Sequence, residues 1–129
     1  MAGNVLLDTS AILDLFAGVA AVERLLAAAE EAFVPCVAIG ELLYGAQISS
    51  REEANRATIE RFVAASAVLA CDAGTARHYA QVKAGLKALG RPIPENDVWI
   101  AALARQYALT LVARDVHFRI VQGIALTEW

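Results

Sequence analysis

Four acidic side chains stand at the edges of apolar segments or within them, and these are the residues best placed to do chemistry. They are Asp8, Glu41, Asp97 and Asp115. Taken singly, each has an ordinary explanation, such as a turn, a helix cap or a solvated helix face. Gathered in one place, their charges would repel and raise one another's pKa, so a cation would be needed to hold the cluster. Oxygen ligands favour a hard ion, Mg²⁺ or Mn²⁺, and the chain offers no cysteine–histidine set for zinc.

Short apolar runs alternate with helical patterns along the chain. Strands are predicted at 4–7, 32–34, 67–71, 109–113 and, more weakly, 124–126. Helices are predicted at 11–16, 20–30, 37–47, 51–65, from the region of Asp72 and Thr75 to 89, and from Asn96 onward. The expected helix starts are Ser10 as an N-cap, a Ser50–Glu53 capping box and Asn96 as an N-cap.

This alternation predicts an α/β fold in which a parallel sheet is covered by helices on both faces, a three-layer α/β/α sandwich. Binding sites in such sheets form beyond the carboxyl ends of the strands, where the strand order reverses. Asp8 follows the first strand and Asp115 follows the fourth. If those strands are neighbours, the two carboxylates share one crevice. Topology alone does not place Asp97.

Composition sets broad limits on the protein. The chain has 129 residues, 58% of them hydrophobic, which predicts one domain spanning residues 1–129. It has no apolar run of the roughly 20 residues that a membrane span needs, and the N-terminus lacks the basic start of a signal peptide, so a cytoplasmic location is expected. The net charge of −3 argues against nucleic-acid binding by charge alone. Cys36 and Cys71 are expected to be buried, reduced thiols.

Four segments resemble the PIN-domain family, and more narrowly the VapC-type toxins of bacterial type II toxin–antitoxin pairs. The segments are VLLDTSA (5–11), IGELLYG (39–45), PENDVWIAA (94–102) and ARDVHF (113–118). The resemblance implies an endoribonuclease dependent on Mg²⁺ or Mn²⁺, a central five-stranded parallel sheet, a homodimer and inhibition by a small cognate antitoxin of the VapB type. It also implies that Asp8 and Asp97 are the principal metal-binding acids, with Glu41 and Asp115 completing the catalytic set.

One position departs from the family pattern. The family often has Thr or Ser two residues before its last acid, whereas this chain has Ala113. Thr9 or Ser10 can supply the missing hydroxyl, and both are also candidates to contact the RNA substrate. Arg114, beside the last acid, is a third candidate for binding the RNA backbone.

Other functions receive less support from the residues. A metal-independent ribonuclease would use a histidine pair, but His78 lies in a helical pattern and His117 precedes a packing aromatic. Aspartyl-phosphate chemistry would want a second acid two residues after Asp8, where Ser10 stands. The main alternative is a catalytically inactive PIN-fold binding module. The presence of all four acids argues against it.

Two interaction surfaces are also expected. The N-terminal helices carry more large apolar side chains than one inner stripe requires, which suggests a groove for an amphipathic antitoxin segment. Some of these side chains, Leu13, Phe16, Leu25 and Leu26, are proposed to line it. A separate homodimer patch is expected on the helix from Val37 or on the long helix before Gly90.

Overall fold

The computed structural model describes residues 3–129, which form five strands, six α-helices and one 3₁₀ helix. The strands are β1 (Asn4–Leu7), β2 (Glu31–Pro35), β3 (Ala67–Leu69), β4 (Thr110–Val112) and β5 (Ala125–Thr127). The helices are α1 (Thr9–Phe16), α2 (Ala20–Ala28), α3 (Cys36–Gln47), α4 (Glu52–Ala64), α5 (Ala73–Ala88) and α6 (Glu95–Gln106), and the 3₁₀ helix is Val116–Ile120. Among these residues, no helix is both long and apolar enough to cross a membrane.

The five strands form one parallel sheet in the order β3-β2-β1-β4-β5. The predicted fold class is therefore confirmed, including the strand count that the family resemblance implied. The strand order reverses between β1 and β4, which pair with Leu6 opposite Leu111 and Leu7 opposite Val112. This is the place where an open parallel sheet forms a crevice, as the sequence analysis anticipated.

Alternate side chains of β1 enter two hydrophobic cores, one on each face of the sheet. Leu6 packs with residues of α5 and α6, whereas Val5 and Leu7 pack with residues of α1, α3 and α4. The two cores fill the spaces between the sheet and the helices that cover it, as the predicted three-layer sandwich requires. Completely buried Leu and Ile side chains of this kind stabilise the fold by about 1.5–3 kcal/mol each.

Helix α6 is almost enclosed by the protein, with buried residues at Val98 and from Ile100 to Ala104. Three of them are alanines, so neighbouring elements can approach its backbone closely. Such a helix has little freedom to shift along its axis. Its first turn, which carries Asp97, is therefore held firmly at the edge of the sheet.

Three predicted helix starts are wrong. Ser10 lies inside α1. The N-cap is Asp8, because its carboxylate accepts a hydrogen bond from the N–H of Ala11. Helix α4 starts after Arg51 with no side-chain capping bond, so the Ser50–Glu53 capping box does not form.

Helix α6 starts two residues earlier than predicted. Pro94 takes the N-cap position, and Asn96 lies within the first turn. The fixed φ of proline already suits a helix start, so the capping side chain of Asn96 is not needed there. By contrast, Asp72 and Thr75 do form the start of α5, as a reciprocal capping box. Gly90, with φ of +63°, follows the end of that helix.

Candidate functional site

Asp8 lies at the bottom of the crevice between β1 and β4. Its N–H continues the strand pairing by donating to the carbonyl of Val112 (3.1 Å). Its Oδ1 accepts from the N–H of Ala11 (2.8 Å), and the hydroxyl of Ser10 lies 2.8 and 2.9 Å from its two oxygens. Only 2% of the residue is exposed. The carboxylate is therefore fixed in position and largely removed from water.

Burial raises the pKa of Asp8 from 3.8 to about 6. The hydrogen bonds from Ala11 and Ser10 oppose that change, while the charges of Asp97 and Asp115 add to it. The three acids are thus close enough to repel one another. At neutral pH, Asp8 is a buried carboxylate whose charge the protein does not fully compensate.

Asp97 reaches the same edge of the sheet because α6 runs antiparallel to β4, the strand that it precedes. One carboxylate oxygen of Asp97, one of Asp115 and a ring nitrogen of His117 all lie within 4.8 Å of one another. The pKa of Asp97 is raised, first by burial and then by the charges of Glu41 and Asp115, and His117 acts in the opposite direction. The topological question that the sequence left open is thus answered by the direction of the helix.

His117 is the residue that the sequence analysis missed. It was considered only as half of a histidine pair or as a neighbour of a packing aromatic. Its ring does pack on Phe118, with 4.6 Å between ring centroids, but its Nε2 lies 3.0 Å from Oδ2 of Asp97. This buried nitrogen makes no aligned hydrogen bond with any residue in 3–129. The signal in the sequence was its spacing, two residues after an acid that follows a buried strand.

The predicted alternative of a His78–His117 pair finds no support in this arrangement. His78 lies in α5 and is not part of the cluster formed by Asp97, Asp115 and His117.

Glu41 approaches the crevice from α3. Its Oε1 accepts from the hydroxyl of Thr9 at 2.6 Å, and its charge raises the pKa of Asp97. Thr9 and Ser10 therefore each donate to one of the acids. The two hydroxyls thus contact carboxylates of the site, whereas Ala113 has no hydroxyl and is completely buried.

Arg114, proposed to contact RNA, is held in an ion pair on the rim of the site. Its Nη1 lies 2.9 Å from Oδ2 of Asp14, an oxygen that also accepts from Nε1 of Trp129 at 3.0 Å. The arginine side chain is 57% exposed, whereas that of Asp14 is only 15% exposed. Arg114 therefore stands at the solvent boundary of the site, with its guanidinium directed to a carboxylate that the protein partly buries.

The donor set at this edge fits a divalent cation. Two carboxylates and one imidazole converge, a third carboxylate is buried beside them, and the ring nitrogen of His117 has no aligned partner. Oxygen-rich sites of this kind suit Mg²⁺ or Mn²⁺. Asp97 and Asp115 offer the converging oxygens for such an ion, and the carboxylate of Asp8 lies near enough for its charge to interact with theirs.

A groove of about 430 Å³ opens beside the acids, between α1, α3 and α4. Its walls include Leu13 and Phe16 of α1, with Glu41 at one side. The Phe16 ring meets Phe62 edge to face, with 5.2 Å between centroids. Of the four apolar residues named for a groove, Leu13 and Phe16 line this one, whereas Leu25 and Leu26 pack against the core.

Comparison with known proteins gives a consistent result. The family model of the PIN domain matches residues 5–124. The tRNA(fMet)-specific endonuclease VapC of Shigella flexneri is 38% identical over 97 residues, which cover 74% of each chain. Ribonuclease VapC2 of Haemophilus influenzae is 36% identical over 97 residues, with the same coverage.

Solved structures agree with the sequence relatives. A chain in the crystal structure of DNA-bound VapBC from Salmonella typhimurium superposes with a TM-score of 0.88 at 29% identity, covering 100% of this chain and 99% of that one. The structure of VapBC2 from Rickettsia felis shares the fold, with a TM-score of 0.87 at 21% identity and 98% coverage of both chains. The chain therefore belongs to the PIN domain family and, within it, to the VapC proteins.

Proposed function

We propose that this protein is a metal-dependent endoribonuclease and the toxin of a toxin–antitoxin pair, with residues 1–129 acting as one nuclease domain. The relatives from Shigella flexneri and Haemophilus influenzae are named as an endonuclease and a ribonuclease. The observation that carries the proposal is the electrostatic coupling of Asp8, Glu41, Asp97 and Asp115 at one edge of the sheet. Burial and neighbouring carboxylates raise the pKa of Asp8 and Asp97, and such a cluster of acids is stabilised by a cation and is poorly explained by structural need.

The proposed cofactor is Mg²⁺ or Mn²⁺, held by Asp8 and Asp97 as the principal ligands. When bound, such an ion activates water for attack on phosphorus and neutralises charge on the phosphate. The chain's own residues prepare the site. Ser10 fixes the carboxylate of Asp8, and Thr9 fixes that of Glu41.

The acids that are not principal ligands have supporting tasks in this proposal. Asp115 and Glu41 orient water and complete the negative field that attracts the ion. His117, whose Nε2 lies 3.0 Å from Oδ2 of Asp97, opposes the rise in the pKa of Asp97. Arg114 is placed to exchange Asp14 for a backbone phosphate of the RNA as it enters the crevice.

The partner proposed for the groove beside α1 is a small antitoxin of the VapB type. The matched chains from Salmonella typhimurium and Rickettsia felis come from VapBC structures. Leu13 and Phe16 offer the apolar wall for an amphipathic segment, and the neighbouring acids would attract a basic antitoxin residue toward Asp8 and Asp97. For the homodimer, we propose the surface formed by Tyr44 of α3 and Ile48, the residue directly after that helix, which are 66% and 68% exposed.

RNA cleavage with controlled metal content tests the proposed reaction. Total RNA should be cut in the presence of Mg²⁺ or Mn²⁺, and excess chelator should abolish the cutting. Asp97→Asn should reduce cleavage at least about a hundredfold, the scale of losing one charged group that serves the transition state. Glu52→Gln is the matched control, because that acid is paired with Arg56 on the surface of α4 and should leave the rate unchanged.

Titration of Mn²⁺ by calorimetry separates this proposal from the inactive binding module. A nuclease should bind the ion, and Asp97→Asn should weaken that binding. A folded protein that neither binds Mn²⁺ nor cuts RNA would support the binding module, and full cleavage in excess chelator would refute the metal mechanism.

A further inference from the structure

The two cysteines of the chain lie side by side at the carboxyl edge of the sheet. Cys36 is the first residue of α3, directly after β2, and Cys71 follows β3 by two residues. These strands pair in parallel, with Pro35 opposite Leu69, so both cysteines leave the sheet at the same level. Their sulfur atoms are 3.9 Å apart, with the Cys36 thiol donating toward the Cys71 sulfur.

Neither cysteine matches the expectation of a buried thiol. Cys36 is half-buried and Cys71 is exposed. Both line a cleft of about 570 Å³ whose other walls include Glu41, Asn96 and Trp99. Solvent and small oxidants therefore have access to the sulfur pair.

We propose that Cys36 and Cys71 form a redox modification site, which peroxide converts into a reversible disulfide within one chain. The contact between sulfur atoms that belong to two different β–α junctions, 35 residues apart in sequence, is the observation that carries this inference. Closing the pair to the bonding distance of about 2.0 Å requires an approach of roughly 2 Å. Side-chain rotation and small movements of the two junctions can supply it. The inference does not depend on the proposed nuclease function.

The chemistry balances with hydrogen peroxide as the oxidant. The sulfur of Cys36 attacks one peroxide oxygen, the O–O bond breaks, and the thiol proton leaves in a molecule of water, giving a sulfenic acid. The sulfur of Cys71 then attacks the sulfur of Cys36, and the hydroxyl group leaves as a second water with the Cys71 proton. Two electrons pass from the thiol pair to the peroxide.

The roles of the two sulfurs follow from their surroundings. Although Cys71 is exposed overall, partial removal of its thiol from water raises the pKa of that thiol to about 11, and the adjacent Cys36 adds to the effect. Cys71 therefore remains protonated at neutral pH and is a poor first nucleophile. Cys36 is assigned the first attack, and Cys71 resolves the sulfenic acid.

A disulfide here would tie the β2–α3 junction to the β3–α5 junction beside the Glu41 cleft. Because it closes a loop of intermediate length, it should restrict the unfolded chain and raise the melting temperature by about 10 °C. The gain should disappear when the bond is reduced. The cleft wall formed by the start of α3 would be fixed at the same time.

Intact-mass analysis and peptide mapping of the full chain test this inference. The reduced protein is treated with a small excess of hydrogen peroxide and analysed without reductant. We expect a mass lower by two hydrogens, a peptide pair joined through Cys36 and Cys71, and a melting temperature about 10 °C higher, all reversed by dithiothreitol.

Single-serine variants provide the controls. Cys71→Ser should show neither the linked peptides nor the thermal gain, and its remaining Cys36 should be alkylated faster than the Cys71 of a Cys36→Ser protein. Independent oxidation to sulfinic acids, disulfides between chains or unreacted thiols in the wild-type protein would each overturn the proposal. The mapping of the wild-type chain decides the matter even if a variant folds poorly.

Discussion

Replacement of Asp8 by asparagine should stabilise the metal-free protein at neutral pH, although Asp8 is proposed as a principal catalytic residue. Asparagine has nearly the same shape and is an equally good N-cap, so the bond from the N–H of Ala11 is retained. The substitution removes the buried charge and its repulsion from Asp97 and Asp115.

The size of the effect follows from the pKa of Asp8. Because burial raises it from 3.8 to about 6, the folded protein binds this proton more tightly than the unfolded chain does. The stability linked to Asp8 is therefore complete below the unfolded value of 3.8 and is lost as the pH rises through about 6. At about 1.4 kcal/mol for each pH unit between the two values, the ionised carboxylate costs the fold about 3 kcal/mol at neutral pH.

Urea unfolding in the presence of chelator, at pH 4, 5.5 and 7.5, measures this effect. Asp8→Asn should be more stable than the wild type by up to about 3 kcal/mol at pH 7.5, and the difference should nearly vanish at pH 4. Added Mn²⁺ should narrow this difference, because an ion at one hundred times its Kd stabilises the wild-type protein by about 2.7 kcal/mol and the variant by less.

Asp72→Asn is the matched control for this experiment. Asp72 also caps a helix by accepting a hydrogen bond from the backbone N–H of Thr75. Unlike the pKa of Asp8, the pKa of Asp72 is lowered, first by this bond and then by the bond from Gln106. Its charged form is therefore favoured by folding, and its removal should destabilise the protein at neutral pH. A loss of stability in Asp8→Asn at pH 7.5, or a difference that does not change with pH, would refute the reasoning about the buried charge.

Three further predictions concern the surroundings of the site. Thr9→Val removes the 2.6 Å hydrogen bond to Glu41 and should lower kcat/KM for RNA by roughly tenfold, while thermal melting shows the fold intact; an unchanged rate would contradict the orienting role. Phe16→Glu should weaken antitoxin binding in a titration without abolishing RNA cleavage, whereas the exposed Leu89→Glu on α5 should leave binding unchanged; equal losses would contradict the groove assignment. Ile48→Glu should shift the antitoxin-free protein from dimer to monomer in sedimentation, and a dimer that persists would exclude this surface.

Local pattern was sufficient to locate the elements of the fold. Continuous apolar runs such as Val5–Leu7 cannot be exposed on either face, so they predict buried parallel strands. Gly90 and the Asp72–Thr75 pair marked the limits of α5, because their conformational and hydrogen-bonding preferences act within a few residues. Errors arose where several capping residues competed, as at Ser10 and Asn96. In those two places the helix starts earlier than predicted, at Asp8 at the end of β1 and at Pro94.

For the candidate site, too, the sequence and the tertiary structure supplied different information. The sequence by itself indicated which acids stand at the ends of apolar segments, and it pointed to the family through the order of four short motifs. Only the tertiary structure decided what these acids meet. The pairing of β1 with β4, more than 100 residues apart in the chain, carries Asp8 toward Asp115.

The same is true of contacts made by side chains that looked unremarkable in the sequence. His117 reaches Asp97 because the 3₁₀ helix after β4 turns back over the start of α6, and Cys36 meets Cys71 because β2 and β3 end at the same level. Periodicity and capping depend on interactions between residues a few positions apart, which a single sequence displays directly. Contacts between distant segments depend on the strand order and on how the two cores pack, and those are settled only when the whole chain folds.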